Sequence, residues 1–482
     1  MNCVLGLDVG TQGARALVCS REGAVVASAE SPLPQRDFEL PEGWFEQDPE
    51  DWWQAACLCL RRVVRKLQER GIENSWIAAV CVDSTSGTVV PVDRQGRPLR
   101  RAIMYNDGRA AAEAEECNRA AGAPMFNASF ALAKILWVRR HEPEVYHNAY
   151  KFIHAADFIV GKLTGCWNVS DFSNALKTGY DLEQMAWPGY IESALGIPLS
   201  KLPLVAAMGD PIAEVGRTAS EQTGLAEGTT VVAGMTDGTA GFVASGAAAP
   251  GDWNTTLGTT LVVRGVSEKP VRDPLGRVYN HRHPQGYWLP GGASNVGGEW
   301  LAKNFPGRDY AELDSKAEPL LPTDLVLYPL ARKGERLPFL HGSAEGFVIG
   351  CVESEAAFYA AGLEAVALVE RWIYELLDSL GAGYPKAVFT TGGGARSRVW
   401  SQLRADVLQV EVRVPEISEA AMGSAVLAAS KTLYGSLEDA SRAMVRIGYS
   451  VKPRSEHAEI YEQKLGALRK ACAERGYLSA GA

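Results

Sequence analysis

Apolar residues along this chain gather in short runs that end in glycine, threonine or aspartate, and the same arrangement occurs in both halves. Val4-Leu5-Gly6-Leu7-Asp8-Val9 is followed by the turn Gly10-Thr11-Gln12-Gly13, a second apolar run to Cys19, and another turn at Arg21-Glu22-Gly23. Apolar runs separated by a glycine-bearing turn predict a β-hairpin. Trp253–Val263 repeats the plan, with Gly258-Thr259 at its turn and β-branched residues beyond it. Further along each half, a helical period leads into a continuous apolar strand. Asp48-Pro49-Glu50-Asp51 has the composition of a helix start, with Asp as cap and Pro in the first turn, and the period runs to about Glu69. The strand Ile77–Val82 follows and exits through Asp83-Ser84-Thr85-Ser86-Gly87. In the second half, a helix from Ser354-Glu355 to about Leu380 precedes the strand Ala387-Val388-Phe389, which exits through Thr390-Thr391-Gly392-Gly393-Gly394.

A helix feeding an uninterrupted apolar strand belongs to a sheet covered on both faces, so the fold class is α/β. At 482 residues the chain exceeds what one hydrophobic core supports. The two similar halves predict a duplicated architecture with a cleft between. It divides near Ala247-Ala248-Ala249-Pro250-Gly251 into domains 1–246 and 247–482.

Charge and cysteine usage narrow the partners. A net charge of -9 speaks against a nucleic-acid-binding face, which needs clustered Lys and Arg. The stretch Arg61–Arg70 interleaves its basic residues with apolar ones and reads as the solvent face of a helix. The opening residues place Asp8 inside their apolar run, unlike a signal peptide. No apolar stretch approaches the roughly 20 residues of a membrane span, so no membrane partner is expected. Nine cysteines without a C-x-x-C pair fit a reducing compartment, and the expected location is the cytoplasm.

Four loops could carry chemistry. Asp8-Val9-Gly10-Thr11-Gln12-Gly13-Ala14-Arg15 offers backbone N–H groups to an anion, a hydroxyl at Thr11, a cation at Arg15 and a carboxylate at Asp8 able to hold hydrated Mg²⁺. A hairpin turn with a satisfied buried acid explains the same residues. Thr255-Thr256-Leu257-Gly258-Thr259-Thr260 repeats that chemistry without the acid, and by itself is a common turn composition. Gly234-Met235-Thr236-Asp237-Gly238-Thr239 puts a carboxylate at a strand end, where Asp237 serves either as general base or as helix cap. Gly392-Gly393-Gly394-Ala395-Arg396-Ser397 leaves room beside the backbone for a ring or phosphate. Neither G-x-G-x-x-G nor a Walker A motif occurs, the histidines show no metal-ligand spacing, and Trp52, Trp53, Trp372 and Trp400 read as core.

In this order, the four loops resemble those of the FGGY family of carbohydrate kinases, within the group that shares the actin-like ATPase (ribonuclease H-like) fold. Tyr105-Asn106-Asp107-Gly108-Arg109, Lys134-Ile135-Leu136-Trp137 and Gly362-Leu363-Glu364-Ala365 resemble further family segments. Tyr105 stands where Trp is frequent, and Ala365 where Gly is usual. The resemblance implies an N-terminal sugar-binding and catalytic-base domain, a C-terminal ATP-binding domain, and ATP with Mg²⁺ as cofactors. It implies that Asp237 is the catalytic base and that Asp8, Ser84, Thr85 and Asp237 bind the sugar. Asp8 would also hold the metal through water. ATP would be bound by Thr11, Gln12, Gly13, Arg15, Gly258, Thr259, Gly393, Gly394, Ala395 and Ser397. Asp83-Ser84-Thr85 resembles the ribulose-kinase side of the family, whereas xylulose kinases usually carry a Gln-Met-His type segment there. The expected reaction is therefore phosphorylation of D-ribulose to D-ribulose 5-phosphate, with D-xylulose or another polyol as the alternative acceptor. The expected partners are a small sugar, ATP and a second copy of the chain in a homodimer. A rival of another class is an actin-like nucleotide switch that binds protein.

Overall fold

The computed structural model describes residues 2–478. The chain forms two compact units. One takes the chain up to Ala244 and then Glu419–Val445; the other takes Ser245–Ser418 and the chain from Arg446 on. Sequence reading cuts the chain once, near Ala247, and leaves Glu419–Val445 in the second half. That segment packs instead with the first unit, because its helix Ala420–Thr432 buries nearly every residue there.

The first unit is built on a seven-stranded sheet in the order Pro211–Glu214, Thr230–Val232, Ile77–Ser84, Cys3–Val9, Gly13–Ser20, Val25–Pro32, with Met235–Thr236 also pairing Ile77–Ser84. Cys3–Val9 and Gly13–Ser20 form the expected antiparallel hairpin, and Ile77–Ser84 runs parallel to Cys3–Val9. The helix Pro49–Glu69 starts where Asp48 accepts a hydrogen bond from the Glu50 N–H and Pro49 fills the first turn. Its apolar face buries Trp52, Leu60, Val63 and Leu67 against the sheet.

The second unit repeats the plan. Its sheet runs Tyr279–Arg282, Trp288–Ser294, Leu261–Gly265, Trp253–Leu257, Ala387–Thr391, Glu411–Pro415, Ile447–Val451. The antiparallel hairpin Trp253–Leu257 with Leu261–Gly265 again has a parallel neighbour, Ala387–Thr391, reached through the helix Glu355–Ser379. Beneath the hairpin lies a buried ionic network. Arg404 donates to both carboxylate oxygens of Glu370 at 2.6 Å and to Thr390 at 2.7 Å, and Thr255 donates to Glu370 at 2.5 Å. The network ties the two parallel strands together without an unpaired buried charge. Among the described residues, no helix is long and apolar enough to cross a membrane.

Candidate active site

In the first unit, sheet register gathers the acidic residues. Asp8 lies opposite Asp83 on the parallel neighbour, and Thr236 lies opposite Ser84 on the next strand. That last pairing depends on Gly234, where a Cβ would sit 2.0 Å from the Val82 carbonyl oxygen. Asp8, Asp83-Ser84 and Thr236-Asp237 therefore share the carboxyl ends of three adjacent strands, the usual place for ligands in open α/β sheets.

Asp237 is the first residue of the helix Asp237–Ala244, and its Oδ1 accepts the Gly238 N–H at 2.6 Å. The turn before it is pinned: Ser173 Oγ accepts from the Thr236 N–H at 3.0 Å and donates to Asp171 Oδ1 at 2.5 Å. Asp83 is fully buried, and its Oδ2 accepts from Ser424 Oγ at 2.6 Å. Burial pushes the Asp83 carboxyl well above the usual carboxylate range. The charges of Asp8 and Asp237 act in the same direction, and the Ser424 hydroxyl opposes them. Asp8 is also raised by burial, while its hydrogen bond with Asp83 and the charge of Arg15 hold it down.

Ser84 Oγ and Asn174 Oδ1 are buried with no hydrogen-bond partner among the described residues. Thr85 Oγ1 lies 2.9 Å from Thr88 Oγ1. Thr11, Gln12 and Gly13 form the first turn, closed by the Gly10 N–H donating to the Gly13 carbonyl at 3.0 Å. Thr11 and Gln12 border a cavity of about 680 Å³ together with Arg36, Gln47 and Trp52. Arg15 lies in register with Asp8, and its guanidinium is shared by Glu30 at 3.0 Å and Glu419 at 3.4 Å.

In the second unit, Gly258, Thr259, Gly393, Gly394 and Ser397 line one cavity of about 740 Å³ with Tyr310, Asp314, Tyr359 and Trp400. Ala395 is buried and does not line it; its carbonyl accepts from Tyr449 Oη at 2.6 Å. Gly392, at φ +87°, passes so close to the hairpin that a Cβ would be 2.6 Å from the Leu257 carbonyl oxygen. Asp314 accepts from Tyr359 Oη at 2.8 Å, and burial pushes its carboxyl up.

Several residues escaped sequence reading. Gln47 donates to the Thr11 carbonyl at 2.8 Å and fixes the first turn. The pair Gly297-Gly298 receives the second: the Gly298 N–H donates to the Gly258 carbonyl at 2.8 Å and the Glu299 N–H to the Thr259 carbonyl at 3.0 Å. The glycine pair before a helix was the available signal there, and Asp171-Phe172-Ser173-Asn174 carried a comparable capping signal. Ser424 had none.

Duplicated sheets, each turning its hairpin through Gly and Thr, are the architecture of the actin-like ATPases. Comparison with known proteins agrees. The N-terminal domain of the FGGY family of carbohydrate kinases matches residues 3–244, and the C-terminal domain of that family matches residues 253–432. The xylulose kinase of Bacillus subtilis is 26% identical over 480 residues, spanning 96% of this chain and 95% of that one. The gluconokinase of the same organism is 26% identical over 486 residues, spanning 95% and 93%. The crystal structure of xylulose kinase from Rhodospirillum rubrum is 30% identical with a TM-score of 0.86, covering 98% of this chain and 99% of that one. Plasmodium falciparum glycerol kinase with ADP shares the fold at a TM-score of 0.86 and 20% identity, covering 100% and 99%. The chain belongs to the FGGY family of carbohydrate kinases. It is a sugar kinase, a phosphotransferase with an alcohol group as acceptor, of a family that uses ATP.

Proposed function

We propose that this kinase phosphorylates a ketopentose, D-ribulose first, giving D-ribulose 5-phosphate. The observation that carries the reading is the convergence of Asp8, Ser84 and Asp237 at three adjacent strand ends. Asp237 takes the proton of the sugar hydroxyl as its oxygen attacks the γ-phosphorus in line. The new O–P bond forms while the bond to the bridging oxygen breaks, and ADP leaves. Ser84 and Thr85 orient the sugar, with Asp8 beside them. Thr11, Gln12, Gly13 and Arg15 serve the phosphates from the first unit, and Gly258 and Thr259 from the second. Gly393, Gly394, Ala395 and Ser397 form the turn that receives adenosine. These roles assign the first unit, with its returning segment Glu419–Val445, to sugar and base and the second unit to ATP.

No cluster of three or more metal-binding side chains occurs among the described residues. Mg²⁺ is commonly held by one or two carboxylates plus water and substrate phosphates, and Asp8 fits that donor set through water. When bound, the ion neutralises charge on the phosphate oxygens.

The small hydroxylated turn after Asp83 supports D-ribulose. D-xylulose is the second reading, favoured by the relative named xylulose kinase in Bacillus subtilis. A cytoplasmic homodimer completes the proposal.

ADP release with Mg-ATP is to be measured across D-ribulose, D-xylulose, glycerol and gluconate, for wild type and Asp237→Asn. Turnover on D-ribulose that falls about 10²–10⁴-fold in the variant is expected. Preference for D-xylulose moves the second reading forward. Preference for glycerol or gluconate overturns the ketopentose assignment, and turnover unchanged in the variant removes Asp237 as base.

A further inference from the structure

Lys134, on the helix Ala131–His141, is completely buried in an apolar cluster that includes Leu132, Ile135, Leu136 and Trp137. Its Nζ donates to the Gly87 carbonyl at 2.8 Å and to the Ser129 carbonyl at 3.1 Å. Burying an amine is costly, and an apolar side chain of similar length would fill the same space without that cost. Burial pushes the pKa of this amine down to about 7. What the amine holds accounts for its presence.

Gly87 stands at φ +83° where the chain after Asp83-Ser84-Thr85 doubles back, and a Cβ there would lie 2.5 Å from the Ser129 carbonyl oxygen. Two carbonyl oxygens from separate segments are thus brought together, and a shared donor converts their repulsion into a bridge. The far side of the turn has its own supports. His154 Nδ1 lies 3.1 Å from the Thr88 carbonyl oxygen, and the Tyr105 N–H donates to Thr88 Oγ1 at 3.2 Å. The near side is the strand Ile77–Ser84. Lys134 alone among these grips the apex.

We infer that Lys134 is a positioning residue that fixes the turn Ser84–Thr88 in the shape that reads the sugar. The inference rests on the proposal that this turn contacts the sugar. Lys134 acts through Gly87 and touches neither substrate.

Lys134→Met removes the donor and keeps the volume. Lys151→Met is the matched control: Lys151 is also buried, and its Nζ donates to the Ser200 and Leu202 carbonyls at 2.8 Å each, away from the turn. Both variants are expected to melt earlier. Only Lys134→Met should raise KM for the ketose, by about tenfold, with KM for ATP within about twofold of wild type. The ratio of kcat/KM between D-ribulose and D-xylulose should shift with it. An unmoved ketose KM in Lys134→Met, or an equal rise in Lys151→Met, overturns the inference. If Lys134→Met does not fold, Lys134→Gln, which keeps a shorter donor, is measured against the same two outcomes. Ser84→Ala separates the layers. If it raises ketose KM and Lys134→Met does not, only the positioning role is lost. If Ser84→Ala leaves ketose KM unchanged, the turn is not the sugar site and the inference falls with it.

Discussion

His154 shows how a single buried side chain makes the turn sensitive to acid. Its Nε2 lies 3.0 Å from Thr178 Oγ1 and its Nδ1 meets the Thr88 carbonyl, so the ring joins two loops as a neutral imidazole. Burial pushes its pKa down to about 4, against an ordinary 6.5. Below 6.5 the unfolded chain binds a proton that the folded chain refuses. The stability this group contributes is therefore complete above 6.5 and is lost as pH falls toward 4, about 3 kcal/mol across that window. Replacing His154 with Gln removes the slope. Thermal melts at about pH 7.5 and about pH 5 should show the variant well below wild type at the higher pH and closer to it at the lower. An equal gap at both would mean that His154 does not titrate as its burial dictates. At this scale the sequence was informative where chemistry and chain direction coincide. Thr11 and Asp237 stand out because each sits beside glycine at the end of an apolar run, and Asp8 because it interrupts one. Ser424 does not, because it meets Asp83 across 341 residues and sits in a helix buried along most of its length.

The elements around the site are packed backbone to backbone, and glycine makes this possible. A Cβ on Gly6 would lie 1.9 Å from the Ala421 carbonyl oxygen, and one on Gly423 would lie 1.9 Å from the Ala240 carbonyl oxygen. The helix Ala420–Thr432 is thus wedged against both the first strand and the helix that Asp237 opens. Gly423→Ala must push that second helix, so a loss of about 1–3 kcal/mol is expected together with a lower kcat. Gly466→Ala is the contrast. It lies inside the helix Ala458–Glu474 with nothing within 4 Å of its Cβ position, and there the helix preference of Ala should raise Tm. A Gly423→Ala variant as stable as wild type would refute the close packing. Element ends were the part of the fold least visible in the sequence. Apolarity suggests strand ends at Val82 and Phe389, yet the strands run on to Ser84 and Thr391. The added residues are polar, which hides them from a hydrophobic period, but their backbones still pair with Asp8-Val9 and with Thr255-Thr256.

For the whole molecule, the decisive fact is that the first unit is not continuous in sequence. The hairpin duplication was readable because each copy repeats a local pattern. The return of Glu419–Val445 was not, because a helix carries no mark of the sheet it will cover. Its side chains nevertheless complete the first core. Met422 meets Cys19 with sulfur atoms 3.6 Å apart, Tyr434 Oη donates to the Arg21 carbonyl at 2.5 Å, and Lys431 pairs with Asp210. Residues 1–244 made alone would leave Gly6, Cys19 and Asp83 without their cover, exposing apolar strand surface and an unbalanced buried acid. Such a fragment should be insoluble or molten. The same fragment joined by a flexible linker to residues 419–445 should be soluble and unfold cooperatively, read by urea titration with two probes whose transitions coincide. Cooperative folding of residues 1–244 without the segment would show that the returning helix is an addition to a finished core. Failure of both fragments would show that the first unit needs the remainder of the chain as well.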